Sequence, residues 1–129
     1  MAAVINRDSA SHYQWGEHCD GWHLLRSQEL SVIEERMPPG TAEVKHYHQR
    51  AQQLFYVLSG AATFEIDGRR LRVRARESLH IDAGTEHNVA NLDSSDLEFL
   101  VISCPPSHGD RLVVNRGQEV TSPSGEALG

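Results

Sequence analysis

The chain of 129 residues is the size of one domain, and its 39% apolar and 23% charged residues are ordinary for a folded globular protein. A formal net charge of −6 counts against a nucleic-acid binder, which carries a basic surplus. The longest apolar runs, such as 97–104, are broken by Glu98 and too short to span a bilayer, and residues 1–10 lack the basic start and apolar stretch of a secretory signal.

Turn-forming residues punctuate the chain at Pro38-Pro39-Gly40, Ser59-Gly60, Asp67-Gly68, Ala83-Gly84 and Pro105-Pro106. They leave pieces of strand length with few helical windows, which predicts a sandwich or barrel in a single domain over 1–129. Near the start, His18, Cys19 and His23 lie close together, but no second cysteine pair supports a zinc module, and an exposed turn is expected. Cys19 and Cys104 give no disulfide framework, so a reduced, cytoplasmic setting is expected. Tyr13, Trp15 and Trp22 gather at the same end, where they would cover the barrel or a subunit interface.

Strands are predicted over 22–27 and 30–37. The second carries Glu34 and Glu35, the two candidates for a general base, and alternation does not decide which points inward. Both being salt-bridged at the rim beside Arg36 is the preferred reading. A strand over 43–48 places His46 and His48 on one face with Val44, while Glu43, Lys45 and Tyr47 point away. Burying two unpaired imidazoles is costly, whereas a divalent cation satisfies both. The next strand, 53–59, alternates Gln53, Phe55 and Val57 with Leu54, Tyr56 and Leu58, so Gln53 can bring an amide oxygen beside the imidazole pair.

The segment 61–77 is the clearest hairpin, turning at Asp67-Gly68. Its return strand sets Leu71, Val73 and Ala75 on one face and Arg70, Arg72, Arg74 and Arg76 on the other. That ladder reads as a solvated face that also deters edge pairing, in preference to an anion site. Strands over 79–82, 87–91, 97–103 and 111–114 follow, with His87 starting the second of these. The tail 118–129, rich in Ser, Gly and Pro, is expected to fray. His12, His80 and His108 have no spaced partners and read as surface residues.

At this point the sequence resembles the cupins. Gly40, five residues, His46-x-His48, four residues, Gln53, six residues and Gly60 match the spacing of the first family motif. Arg76-Glu77, four residues, Asp82-Ala83-Gly84, two residues, His87, three residues and Asn91 match the second. The short stretch between motifs is similar to small single-domain bacterial members. The resemblance implies an all-β fold, a small antiparallel double-stranded β-helix or jelly-roll barrel, whose interior holds a divalent metal ion. The implied ligands are His46, His48, Gln53 and His87, and zinc, nickel, iron and manganese are the candidate ions. Zinc or nickel is expected after expression, with iron or manganese as the working metal.

Gln53 stands where the family has Glu, which leaves the ion its full charge, weakens its hold and strengthens it as a Lewis acid. Arg76 stands at a turn glycine and Asp82 at a proline; an Arg-Glu turn is expected to avoid a positive φ. Asn91 is expected to brace its strand or turn. The resulting expectation is a metal-dependent, dioxygenase-like enzyme acting on a small organic molecule in a mostly apolar chamber lined by Val44, Phe55, Val57 and Val89. Alternatives are a non-catalytic cupin that binds a sugar or carboxylate, a sugar isomerase or epimerase using Glu34 or Glu35, and a barrel that has lost its metal. The chain is expected to form a homodimer and to have no nucleic-acid or membrane partner.

Overall fold

The computed structural model describes residues 2–115, 118–121 and 129. The described residues contain twelve strands: β1 Ser11–Trp15, β2 Cys19–Arg26, β3 Ser31–Met37, β4 His46–Tyr47, β5 Gln52–Ser59, β6 Ala61–Ile66, β7 Arg69–Arg74, β8 Ser78–Ile81, β9 His87–Ala90, β10 Leu97–Cys104, β11 Leu112–Asn115 and β12 Gln118–Thr121. They form two antiparallel six-stranded sheets, one in the order β1-β2-β3-β10-β5-β8 and the other β12-β11-β4-β9-β6-β7. Inward positions alternate along the strands: Ser31, Ile33, Glu35 and Met37 on β3, and Gln53, Phe55 and Val57 on β5, are all buried. The core between the sheets is built around Phe55, Phe64 and Phe99; the Phe64 ring meets Phe55 edge-on at 5.0 Å and the Phe99 ring lies tilted to it at 5.8 Å. This is the double-stranded β-helix that the sequence implies.

Several expectations change. β1 was not foreseen, because its polar residues His12 and Gln14 alternate without an apolar stripe; Trp15 is nonetheless in the core. Cys19, expected in an exposed turn, is fully buried at the start of β2, and the turn itself is Gly16–His18, with His18 at φ 65°. The predicted strand 43–48 shrinks to His46–Tyr47. The chain before it is pinned differently, with the Glu43 N–H donating to Val89 O, so Glu43 is buried while Val44 is turned out to solvent. Val44 therefore does not line the chamber. Ala75 lies beyond the end of β7 and is exposed, unlike Val73.

Gln118–Thr121, assigned to the frayed tail, pairs as β12 with β11; residues 122–128 lie outside the described residues. The hairpin turn at Asp67 and Gly68 has both φ angles positive, as its two-residue geometry requires. Of the arginine ladder, Arg72 pairs with Asp93 across 2.7 Å and the row faces solvent.

Arg76 adopts φ 70°, against expectation. Its N–H donates to Val57 O and the Glu77 N–H to Arg74 O, so the loop closes tightly at that residue. A side chain in this left-handed region costs roughly 1–2 kcal/mol, part of which glycine forfeits through its freer unfolded chain. Arg76→Gly is expected to raise stability by about 1 kcal/mol, read from the denaturation midpoint at unchanged m-value; an equal or lower midpoint would refute the strain.

Candidate metal centre

His46 and His87 are paired residues on adjacent strands β4 and β9, and His48 follows two residues on. All three are almost fully buried, and one ligand nitrogen from each lies within 4.8 Å of the others. Each ring is held through Nδ1 by a backbone carbonyl: His46 by Val44 O at 2.8 Å, His87 by Thr85 O at 2.8 Å and His48 by Asp110 O at 2.6 Å. A carbonyl only accepts, so Nδ1 carries the proton in each ring and Nε2 keeps its lone pair. All three Nε2 atoms are buried without a hydrogen-bond partner.

Burial pushes the three imidazole pKa values down, His87 to about 4 and His46 well below its ordinary value, and the nearby Arg111 guanidinium adds to the effect. The rings are thus neutral at neutral pH, the state that ligates a cation.

Gln53 is buried beside His48. Its Nε2 donates to Ser103 Oγ at 3.0 Å, which leaves Oε1 unpartnered. An amide oxygen and a bare imidazole nitrogen placed together are two acceptors with no hydrogen between them. Three imidazoles and one amide oxygen with orphaned lone pairs form a donor set that suits a divalent cation.

Asp110 was missed in the sequence, where it reads as a turn residue after Gly109. Its carboxylate accepts the N–H groups of Gln49, Arg50 and Ala51 at 2.9, 2.9 and 3.0 Å, while its carbonyl orients His48. Burial would raise its pKa, but the three donors outweigh that and hold it below the ordinary carboxylate range. One residue thereby fixes the loop linking His48 to Gln53 and the ring at its start, a positioning role.

The two candidate bases separate. Glu34 faces outward and pairs with Arg7, which also reaches Glu98 and lies over the Trp22 ring. Glu35 faces inward, with burial raising its pKa to about 7 against the opposing donation from Tyr13 Oη at 2.8 Å and the charge of Arg111. The expected rim pairing with Arg36 does not form: Arg36 binds Asp20 and Asp96. Glu35 shares its cross-strand row with Phe99 and Val57, whereas Gln53 shares one with Ser103 and Ser31. The rows are four residues apart, roughly 13 Å along the strands, which separates Glu35 from Gln53, while the Arg111 charge acts on Glu35 and on all three histidines.

The remaining residues are structural or peripheral. Phe55, Val57 and Val89 line the interior as expected. Asn91 is fully buried and donates to Met37 O and Ser95 O, bracing the turn that follows β9. His12 is bound to Asp20, and His80 to Gln52, both part-exposed.

The family model described as Cupin domain matches residues 33–103, more than half of the sequence. The chain belongs to the cupin family. An oxalate-binding protein from Thermotoga maritima is 30% identical over 85 residues, 62% of this chain and 70% of that protein. Quercetin 2,3-dioxygenase from Bacillus subtilis is 31% identical over 77 residues, 60% of this chain but 23% of that protein. Among solved structures, a predicted oxalate decarboxylase from Thermotoga maritima superposes with a TM-score of 0.73 at 22% identity, covering 80% of this chain and 99% of that one. That similarity concerns the fold alone.

Proposed function

We propose that the chain holds one divalent ion through His46, His48, His87 and Gln53, and uses it in a dioxygenase-like or related metal-dependent reaction on a small organic molecule. The convergence of three unpartnered Nε2 atoms carries the reading. A bound ion would supply Lewis acidity or, if redox-active, oxygen activation. The protein's own contribution is to keep the rings neutral and oriented through Val44, Thr85 and Asp110, with the Phe55 ring packed edge-on to His87 at 6.3 Å. The similarity to a quercetin dioxygenase supports the same direction, and that to an oxalate-binding protein supports the alternative of a ligand-binding cupin. Glu35, buried on the inner face with its pKa raised to about 7, is the residue on which the alternative of an isomerase or epimerase rests. Oxygen consumption by ferrous-loaded protein across a panel of small phenolic and carboxylic compounds tests the enzyme; binding without turnover would favour the alternative.

Gln53→Glu is expected to raise zinc affinity by roughly tenfold or more, since a carboxylate adds charge attraction from the same position and can still be held by Ser103. Competition with a chromogenic chelator measures it, and equal or weaker retention would remove Gln53 from the ligand set.

The homodimer and the cytoplasmic setting belong to the same proposal. The outer face of the first sheet carries Val32, Leu54, Tyr56, Leu100 and Ile102 in adjacent rows, with Leu54 36% and the neighbouring Leu58 40% exposed. Such a face is well suited to a second copy. Light scattering at micromolar concentration is expected to give twice the chain mass; a monomer mass overturns the dimer. Both cysteines are free, in keeping with a reducing compartment, and no helix among the described residues is long and apolar enough to cross a membrane.

A further inference from the structure

The inner face of the first sheet contains a row of residues that the metal site does not use up. Arg26 pairs with Ser31, Ser31 with Ser103, and Ser103 with Gln53, so four adjacent strands present one continuous line. Arg26 reaches this line only because of a bulge. On β2, Gly21 and His23 face inward, and strict alternation would turn Leu25 in and Arg26 out. The register shifts between His23 and Leu25, so Leu25 is 44% exposed and Arg26 joins Ser31. The bulge thus leaves an apolar residue exposed and sets a cation in the row of Ser31, and bulges are common where a side chain is re-aimed toward a site.

The row ends at Arg26. A cavity of about 430 Å³ lies there, within the range of small-molecule sites. Its chemistry is set by Arg26, Arg50, His23, His108, Ser27 and Ser31, and no carboxylate lines it among the described residues. Neither Arg26 nor Arg50 is in an ion pair with any described residue, although the chain as a whole carries a net charge of −6. His23 Nδ1 is buried without a partner. Burial, followed by the positive charges of Arg26 and His108, lowers the His23 pKa. Arg50 is fixed from below, since the Asp110 carboxylate that supports the His48 loop also holds the Arg50 N–H.

We propose that this cavity is an anion-binding subsite that takes the carboxylate or phosphate group of a small organic molecule between Arg26 and Arg50. Guanidinium groups in a concave, partly desolvated site bind such oxygens through paired N–H donors, and the two serines and His23 add neutral partners. Strands stand about 4.8 Å apart, so the three steps from Arg26 to Gln53 span roughly 14 Å. A molecule anchored here points its other end along Ser31 and Ser103 toward the histidine cluster. That last clause rests on the proposed function, whereas the anion site stands without it, because the cavity includes none of the three clustered histidines.

The test uses metal-free protein, so that an anion on the metal cannot be mistaken for one in the cavity. Inorganic phosphate and succinate are titrated while the ring signals of His23 and His108 and the side-chain N–H signals of Arg26 and Arg50 are followed by NMR, with glycerol as the neutral control. One saturable site is expected. Arg26→Gln and Arg50→Gln, both at exposed residues that should not affect folding, are each expected to weaken it by roughly tenfold, the effect of losing one charge-assisted contact. The tighter of the two probes identifies the group as phosphate or carboxylate. Unchanged affinity in both variants, equal response to glycerol, or shifts confined to His46, His48 and His87 would overturn the subsite. Should the protein fail to retain a metal, the titration would still give its own answer.

Discussion

Protein purified without chelators is expected to carry about one divalent ion per chain, and His46→Ala combined with His87→Ala is expected to abolish it. The reason lies in which atoms are left wanting. In the folded barrel three Nε2 lone pairs and the Gln53 Oε1 are removed from water and given no hydrogen to bind, a cost of about 1–3 kcal/mol per group. A cation removes that cost at all four atoms and adds coordination energy. Deleting two rings leaves His48 and Gln53, two neutral donors, and changing even a supporting residue around such a site costs 10–100-fold in affinity. The double variant should therefore fall well over a hundredfold short of the parent, below detection by elemental analysis. Its metal-free form should still melt cooperatively, because the variant also removes two unsatisfied imidazoles. Metal content equal to the parent's would refute the site, and an equally low content in both proteins would refute occupancy.

The second large effect is on acid stability, and it corrects a simple expectation about the metal-free protein. If the ion alone coupled folding to pH, the metal-free barrel would be insensitive across the histidine range. Burial already prevents that. His87 titrates at about 4 when folded against about 6.5 when unfolded, and burial moves His46 and His48 in the same direction. The unfolded chain binds these protons first, so the contribution is fully present above pH 6.5 and is lost as pH falls toward the depressed folded values. For His87 alone it is on the order of 3 kcal/mol.

Glu35 works the other way. Its folded value of about 7 lies above the ordinary 4.5, so its contribution is complete below 4.5 and lost as pH rises through 7. One carboxyl offsets roughly one of three histidines, and the net slope remains destabilising in acid. Metal-free protein is thus expected to lose several degrees of Tm between pH 7 and pH 5, and metal-loaded protein more, because protons must also displace the ion. In Glu35→Gln the offset disappears and the metal-free slope steepens. A metal-free Tm that stays flat over this range would show that burial of the three rings is not coupled to folding.

The sequence by itself determined the parts of this protein that depend on spacing. Alternation on β5 and β9 is regular, so Gln53, Phe55, Val57, His87 and Val89 face inward as their positions in the pattern require. The two-residue step between His46 and His48 likewise keeps both rings on one side. Turn chemistry at Asp67-Gly68 set the hairpin, and the two spaced motifs set the family.

Tertiary structure decided whatever depends on a break in alternation or on a distant partner. Val44 was misplaced because the chain ahead of β4 is pinned to Val89 and is not extended in register, so parity carried across it gives the wrong face. The same logic hid Arg26, which one bulge places in the Ser31 row at the edge of the cavity. Glu34 and Glu35 are adjacent and chemically equivalent in the sequence. Only the packing of β3 between β2 and β10 sends one to Arg7 and the other to Tyr13. Asp110, more than sixty positions from His48 in the chain, acts through its carbonyl and its carboxylate on backbone atoms. Periodicity records which face a side chain takes while the backbone stays regular; it holds no record of bulges, of pinned loops, or of contacts between residues that only folding brings together.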